Sequence, residues 1–224
     1  MKNYKLSDET KTTPWGAVLH RVVATKTFIL ACGLTIVTEG DVGGWIEKES
    51  NLSGNAWVFG DAMIYGDAQV SDNALVYDNA QIYGNAKVSG DAQIYDDAKV
   101  FSHARVSGDA RASCNAQVCD NARVRGNALA SCNALISGNA QISGDAKVMS
   151  ANDFIVFKSD WSSSRYFTWT KSNDMWAEGS FYGTGDELIK KAYADSEDNG
   201  KHYEACVKLV KTLWKTWSKI NAKL

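Results

Sequence analysis

Between residues 44 and 148 small and aliphatic positions recur every six residues. Alanine stands at every sixth position from Ala56 to Ala146, and Val or Ile follows two places later, with Ala112 and Ala130 the only substitutes. The register reaches back through Leu52 and Ile46, with Ser50 and Gly44 in the small slot, so eighteen hexads run without an insertion. A helix would scatter such a set around its axis. A strand keeps it on one face, because the first and third side chains of Ala-x-Val-x point the same way. The Gly-Asp or Gly-Asn that follows supplies a corner from residues that tolerate positive φ. Three strands and three corners close a coil of about 18 residues, whose strands pair with the next coil at roughly 4.8 Å. The predicted fold is mainly β: a single-chain parallel β-helix of about six coils, on the order of 29 Å long.

The flanks break the pattern and set three predicted segments. Residues 1–43 form a small N-terminal β cap, residues 44–149 the repeat, and residues 150–224 a C-terminal α+β module. In the module, "DFIVFKSDWSSSRYFTWTKSNDMW" reads as two or three strands, and the stretch from Phe181 reads as two helices, a ββ(β)αα order. Thr184 with Glu187 makes a capping box that starts the first helix near Gly185, and Asn199-Gly200 is taken to separate it from the second. On the second helix Cys206, Val210, Leu213 and Trp217 form an apolar stripe, and Lys208, Lys211, Lys215 and Lys219 mark the other face. Both ends of a coil stack expose unpaired strand edges, so the two flanks are expected to cover them.

The unit Val/Ile-x-Gly-Asp/Asn-Ala-x resembles the hexapeptide repeat of left-handed parallel β-helix proteins, and the resemblance implies that handedness. The entry segment "GDVGGWIEKESNLSGNAWV", with "LHRVVAT" before it, is similar to that of hexapeptide-repeat proteins of bacteriophages and prophages, described as β-roll or polymer-forming proteins. That family implies a shape without a reaction.

Positions one coil apart stack, so each face can be read by itself. One face presents Tyr65, Tyr83 and Phe101, then Cys119 and Ser137; the next presents Phe59, Tyr77 and Tyr95, then Ser113 and Ser131. The third carries Gln69, Lys87, Arg105, Arg123 and Gln141 beside Ser71, Ser89, Ser107, Arg125 and Ser143. Two readings of the aromatic ladders are open. Either they steady neighbouring strands under cover of the flanks, or they form a patch for self-association or a partner protein. The cations Lys87, Arg105, Arg123 and Arg125 are a solvated face or a weak anion site. In the module, Trp161, Arg165, Trp169, Trp176, Lys208, Lys211 and Lys215 are candidate partner-binding residues, since interface hot spots use such side chains; a small domain also needs its tryptophans for a core.

Charge and chemistry narrow the classes. With 24 basic and 26 acidic residues, no bulk charge calls for nucleic acid or a membrane surface. The N-terminus carries Asp8 and Glu9 without an apolar core, and the run "FILACGLTIV" at 28–37 is too short to span a bilayer, so a cytoplasmic protein is expected. Cys32, Cys114, Cys119, Cys132 and Cys206 lack the paired spacing of a zinc site. Cys114 and Cys132 sit one coil apart and could bridge, but free thiols are expected there. They occupy the two hexads in which Ala112 and Ala130 replace the aliphatic residue, so the thiols are expected to fill the missing volume.

Acyltransferases and carbonic anhydrases also use hexapeptide β-helices. The former need a histidine beside a loop that leaves the coil, whereas His103 takes an ordinary corner slot. The latter need three converging histidines, and His20, His103 and His202 lie in separate segments. No phosphate loop or nucleophile elbow is present, and no metal or cofactor is expected. The favoured function is a non-enzymatic, phage-type interaction protein whose C-terminal module binds a protein partner, such as a bacterial host defence complex. The alternative is an atypical acyl or nucleotidyl transferase with its site between subunits.

Overall fold

A computed structural model of the chain describes residues 2–29, 36–161 and 164–221, the side chains of residue 36 and of residues 217–221 excepted. Cys32, most of the apolar run at 28–37, and the side chains of Trp217 and Lys219 therefore lie outside the described residues.

The hexads build a β-solenoid of about six turns. Sixteen two-residue strands, β6–β21, occupy the hexads from Trp57–Val58 to Lys147–Val148 and sort into three parallel sheets, one for each side of the coil. Pairing is between residues one coil apart, as in Lys87↔Arg105 and Val88↔Val106. The inward alanines and aliphatic residues from Ala56 to Val148 form one continuous buried core. Corners lie in the left-handed region, which glycine enters without strain: Gly90, Gly108 and Gly126 each have φ 70. A Cβ at Gly108 would stand 3.0 Å from the Gly126 nitrogen, so the glycine column also allows the corners to stack closely.

Such a stack is polar along its axis. Every coil's amides donate to the coil that follows, as Met63 N does to Ala80 O at 2.9 Å and Lys87 N to Ala104 O at 2.9 Å. The first coil is therefore left with carbonyls and the last with amides, and the two flanks answer with opposite groups. At the N-terminal end the strands β1 (Tyr4–Thr12) and β2 (Val18–Ala24) form a hairpin that extends one solenoid sheet through β5 (Val42–Ile46), while β3 (Phe28–Ile29) and β4 (Ile36–Val37) pair beside it. Donors come from this end. The Tyr4 hydroxyl lies 2.8 and 2.9 Å from the carbonyl oxygens of Glu49 and Leu52, and Arg21 Nη1 donates to Gly43 O at 3.1 Å and Gly60 O at 2.7 Å. The buried Asn51 amide donates to Gly66 O at 3.0 Å and Ala68 O at 2.8 Å.

Acceptors come from the C-terminal end. Gln141 N donates to Thr168 Oγ1 at 2.9 Å, Lys147 N to Ser172 Oγ at 2.7 Å and Met149 N to Asp153 Oδ2 at 2.8 Å. These side chains belong to, or lead into, a four-stranded antiparallel sheet of β22 (Phe154–Lys158), β23 (Tyr166–Thr170), β24 (Met175–Glu178) and β25 (Phe181–Gly183), covered by α1 (Gly185–Asp195) and α2 (Glu197–Asn221).

The module differs from the sequence reading in two places. A fourth strand, β25, follows the turn at Gly179, which has φ 57; three residues are too few to show a period. The helices part at Ser196, one turn before Asn199-Gly200, because the Ser196 hydroxyl caps α2 by accepting from Asn199 N at 3.1 Å. Gly200 lies inside α2, where its missing side chain admits the Tyr193 ring. The capping box is as read: Thr184 Oγ1 accepts from Glu187 N at 3.2 Å and Thr184 N donates to Glu187 Oε2 at 2.7 Å.

The thiols do not fill the core. Cys114 and Cys132 are corner residues at φ 55, Cys114 is exposed and both are free. A corner side chain lies outside the inward Ala/Val set, so the small Ala112 and Ala130 must be packed by other core residues.

Candidate functional site

The aromatic ladders stack as side chains one coil apart should. Tyr65 lies 5.0 Å from Tyr83, Tyr83 5.0 Å from Phe101, and Tyr77 5.0 Å from Tyr95, with planes within 4° of parallel. Tyr65 is buried beneath Leu19 of the N-terminal hairpin and against Trp45, with Ala17 and Tyr83 packed on the same cluster. Burial pushes its phenol up to about 12. Phe101, Tyr77, Tyr83 and Tyr95 are half-buried.

Trp169 and Trp176 are each 2% exposed and belong to the module's core with Phe167, Leu188, Tyr203 and Val207. They hold the sheet to the helices and present no surface to a partner. Trp161 is half-buried, stacked on His202 at 4.7 Å and edge-on to Tyr203 at 5.8 Å. Along α2, Lys208 pairs with Glu204 at 2.7 Å and Lys211 with Asp186 at 3.3 Å, so these two cations are partly spoken for; Lys215 is exposed.

Lys87, Arg105 and Arg123 stand exposed in one column on the third face. Arg125 does something else. Its Nε donates to Ser143 Oγ at 2.8 Å and its Nη2 to Gly179 O at 2.6 Å, tying the solenoid to the β24–β25 turn. Burial, then the neighbouring Arg123 guanidinium, pulls Arg125 below the usual arginine value.

A well-formed concavity lies in the module, and of its chemical groups only Arg165 was a sequence candidate. A cleft of about 560 Å³ opens between β24 and the elbow of α1 and α2, lined by Arg165, Glu178, Lys191, Asp195, Asn199 and Tyr203, with Leu188 and Ala192 as its apolar wall. Its floor is the Glu178 carboxylate, 6% exposed. One oxygen accepts from the Tyr203 hydroxyl at 2.9 Å; the other faces Lys191 Nζ at 3.7 Å, beyond hydrogen-bond reach. Burial first, and then the hydrogen bond to Glu178, pushes the Tyr203 phenol up to about 12. A buried carboxylate needs compensation; here the Tyr203 hydroxyl and Lys191 supply it, with Arg165 lining the same cleft. The signal available in the sequence was a glutamate two places after Trp176, on the same strand face; its partners come from both helices and follow no spacing rule.

A second cleft, of about 430 Å³, lies at the seam between solenoid and module and shares Arg165 with the first. Among the described residues no group of three or more His, Cys, Asp or Glu could hold a metal ion, and no helix is long and apolar enough to cross a membrane. His103 is exposed in its corner, its amide donating to Asp120 O at 2.8 Å. No curated protein matches the chain. A family model described as YdcK beta solenoid repeat matches residues 68–81, 80–95 and 116–131, and the hexads of those coils are similar to that repeat.

Proposed function

We propose that the protein is a non-enzymatic binding protein in which the solenoid is a rigid arm and the C-terminal module takes a protein partner. The observation that carries this reading is the cleft at the helix elbow, floored by the buried Glu178 carboxylate. Such a floor suits a basic anchor side chain of a partner, which would gain Glu178 and the exposed Asp195 as counter-ions in a partly desolvated site. Fixing the module to the last coil through Thr168, Ser172 and Arg125 supports the role of an arm, because a pre-oriented site loses less freedom on binding. The resemblance of the entry segment to that of phage and prophage proteins suggests a component of a bacterial host defence complex as the partner, met in the host cytoplasm.

The test is affinity capture from bacterial lysate with the full chain and two variants, Asp195→Lys and Arg105→Gln. A partner retained by the parent and by Arg105→Gln but lost with Asp195→Lys supports the reading. Equal recovery on all three, or no partner on any, overturns it. A melting-temperature rise with acetyl-CoA would instead favour a transferase.

A further inference from the structure

The seam cleft is built from both parts of the molecule. The solenoid contributes Arg123 and Gln141, outward residues of successive coils, with Asn121 and Asn139 at the adjoining corner; the module contributes Arg165 and Tyr166. Its volume of about 430 Å³ falls in the range that holds small ligands.

Three features make it more than a gap. Arg123 and Arg165 are both exposed, and neither forms an ion pair with a described residue. The nearest corner carboxylate in sequence, Asp120, accepts from Gly138 N at 2.9 Å and is not among the residues that line the cleft. Arg125, beside Arg123, is spent on Ser143 and Gly179, and the lining of the cleft holds two arginines and no Asp or Glu.

The second feature is Gln141. Its backbone amide and its Nε2 are both used to dock the module, on Thr168 Oγ1 and on Tyr166 O at 3.1 Å, while its Oε1 is buried without a hydrogen-bond partner. A buried acceptor left without a donor is costly. Gln141 lines the cleft, so a ligand's donor that reached this oxygen would satisfy it while the Nε2 bond to Tyr166 O stays in place. The third is Tyr166, half-buried at the edge of the cleft, which offers an aromatic surface to the organic part of a ligand.

We propose that this seam binds a small organic phosphate, with Arg123 and Arg165 on the phosphate oxygens and Gln141 and Tyr166 on the organic moiety. Guanidinium groups match phosphate in charge and in planar donor geometry, and the corner amides of Asn121 and Asn139 supply further donors. The neighbouring column, Arg105 and Lys87, lies one and two coils away on the open face and lines no part of the cleft. That separates a small-molecule site from a strip that attracts any polyanion.

The experiment is calorimetric titration of the full chain with inorganic phosphate, a nucleoside 5′-monophosphate and a single-stranded oligonucleotide, on the parent and on Arg123→Gln, Arg165→Gln and Arg105→Gln. All three substitutions replace exposed side chains, and circular dichroism checks the fold. The expected result is saturable binding of the monophosphate, tighter than inorganic phosphate, weakened at least about tenfold by Arg123→Gln or Arg165→Gln and unchanged by Arg105→Gln. No binding at millimolar monophosphate overturns the proposal. So does a preference for the oligonucleotide with equal losses at Arg105 and Arg123, which would identify the open basic face instead. Because Arg123 lines the seam and not the elbow cleft, loss of phosphate binding with partner capture intact separates the two sites.

Discussion

The backbone amide of Lys147 donates to the Ser172 hydroxyl at 2.7 Å, in the place where a further coil would have supplied a carbonyl. Thr168 does the same for Gln141 at 2.9 Å. These contacts make the module a chemical continuation of the stack, so Thr168→Val, which keeps the volume at a fully buried position, is expected to cost about 1–3 kcal/mol by orphaning the Gln141 amide. Ser172→Ala should cost less, because Ser172 is exposed and water can replace its oxygen. Urea unfolding of each variant measures the difference; equal and negligible losses would contradict the capping role.

Removal of residues 151–224 exposes the same amides together. The truncated chain is expected to aggregate through its open edge, and a soluble monomer by light scattering would refute this.

Tyr77 and Tyr95 lie 5.0 Å apart with planes 1° from parallel, and both are half-buried. A double-mutant cycle with Tyr77→Ala and Tyr95→Ala is expected to give a coupling of about 0.5–1.5 kcal/mol. Additive losses would mean that the ladder is a by-product of the repeat and contributes no stability of its own.

Cys114 and Cys132 hold φ 55, a region that costs a residue with a Cβ about 1–2 kcal/mol and costs glycine little. The Cys114 amide keeps its bond to Asp96 Oδ2 at 2.9 Å whatever the side chain. Replacing both cysteines with glycine is therefore expected to leave the melting temperature unchanged or raise it. A fall would restore a packing role for the thiols.

Tyr4, Tyr65 and Tyr203 are each raised to about 12, with burial the largest cause. A phenol whose folded value lies above its unfolded value keeps its proton longer in the native state. The stability it contributes is complete below pH 10, the unfolded value, and is lost as the pH rises from there towards about 12. In a titration followed at the tyrosinate absorbance, these three should ionise late, together with the loss of circular dichroism, whereas exposed tyrosines ionise first. Three early, independent titrations would show that the N-terminal end and the elbow cleft are open to solvent.

The sequence by itself determined the coil, because everything that makes it is local: a small residue, an aliphatic residue two places on, and a corner such as Gly90 or Gly108 that enters the left-handed region at φ 70. Repeating that unit without insertion leaves only a stack, and the stack sets which residues share a column, as Tyr65 and Tyr83 or Arg105 and Arg123 do. The capping box at Thr184 and Glu187 was legible for the same reason. Tertiary structure decided what no spacing encodes. It sent Trp169 and Trp176 inward because a small sheet under two helices needs large rings for its core, and it buried Tyr65 under Leu19 from a distant hairpin. It brought Glu178, Lys191 and Tyr203 together from one strand and two helices, and set Arg123 in the same cleft as Arg165 by docking the module on the last coil. Such groups meet because the unpaired amides of the final coil demand acceptors, and that demand arises only once the coils have stacked.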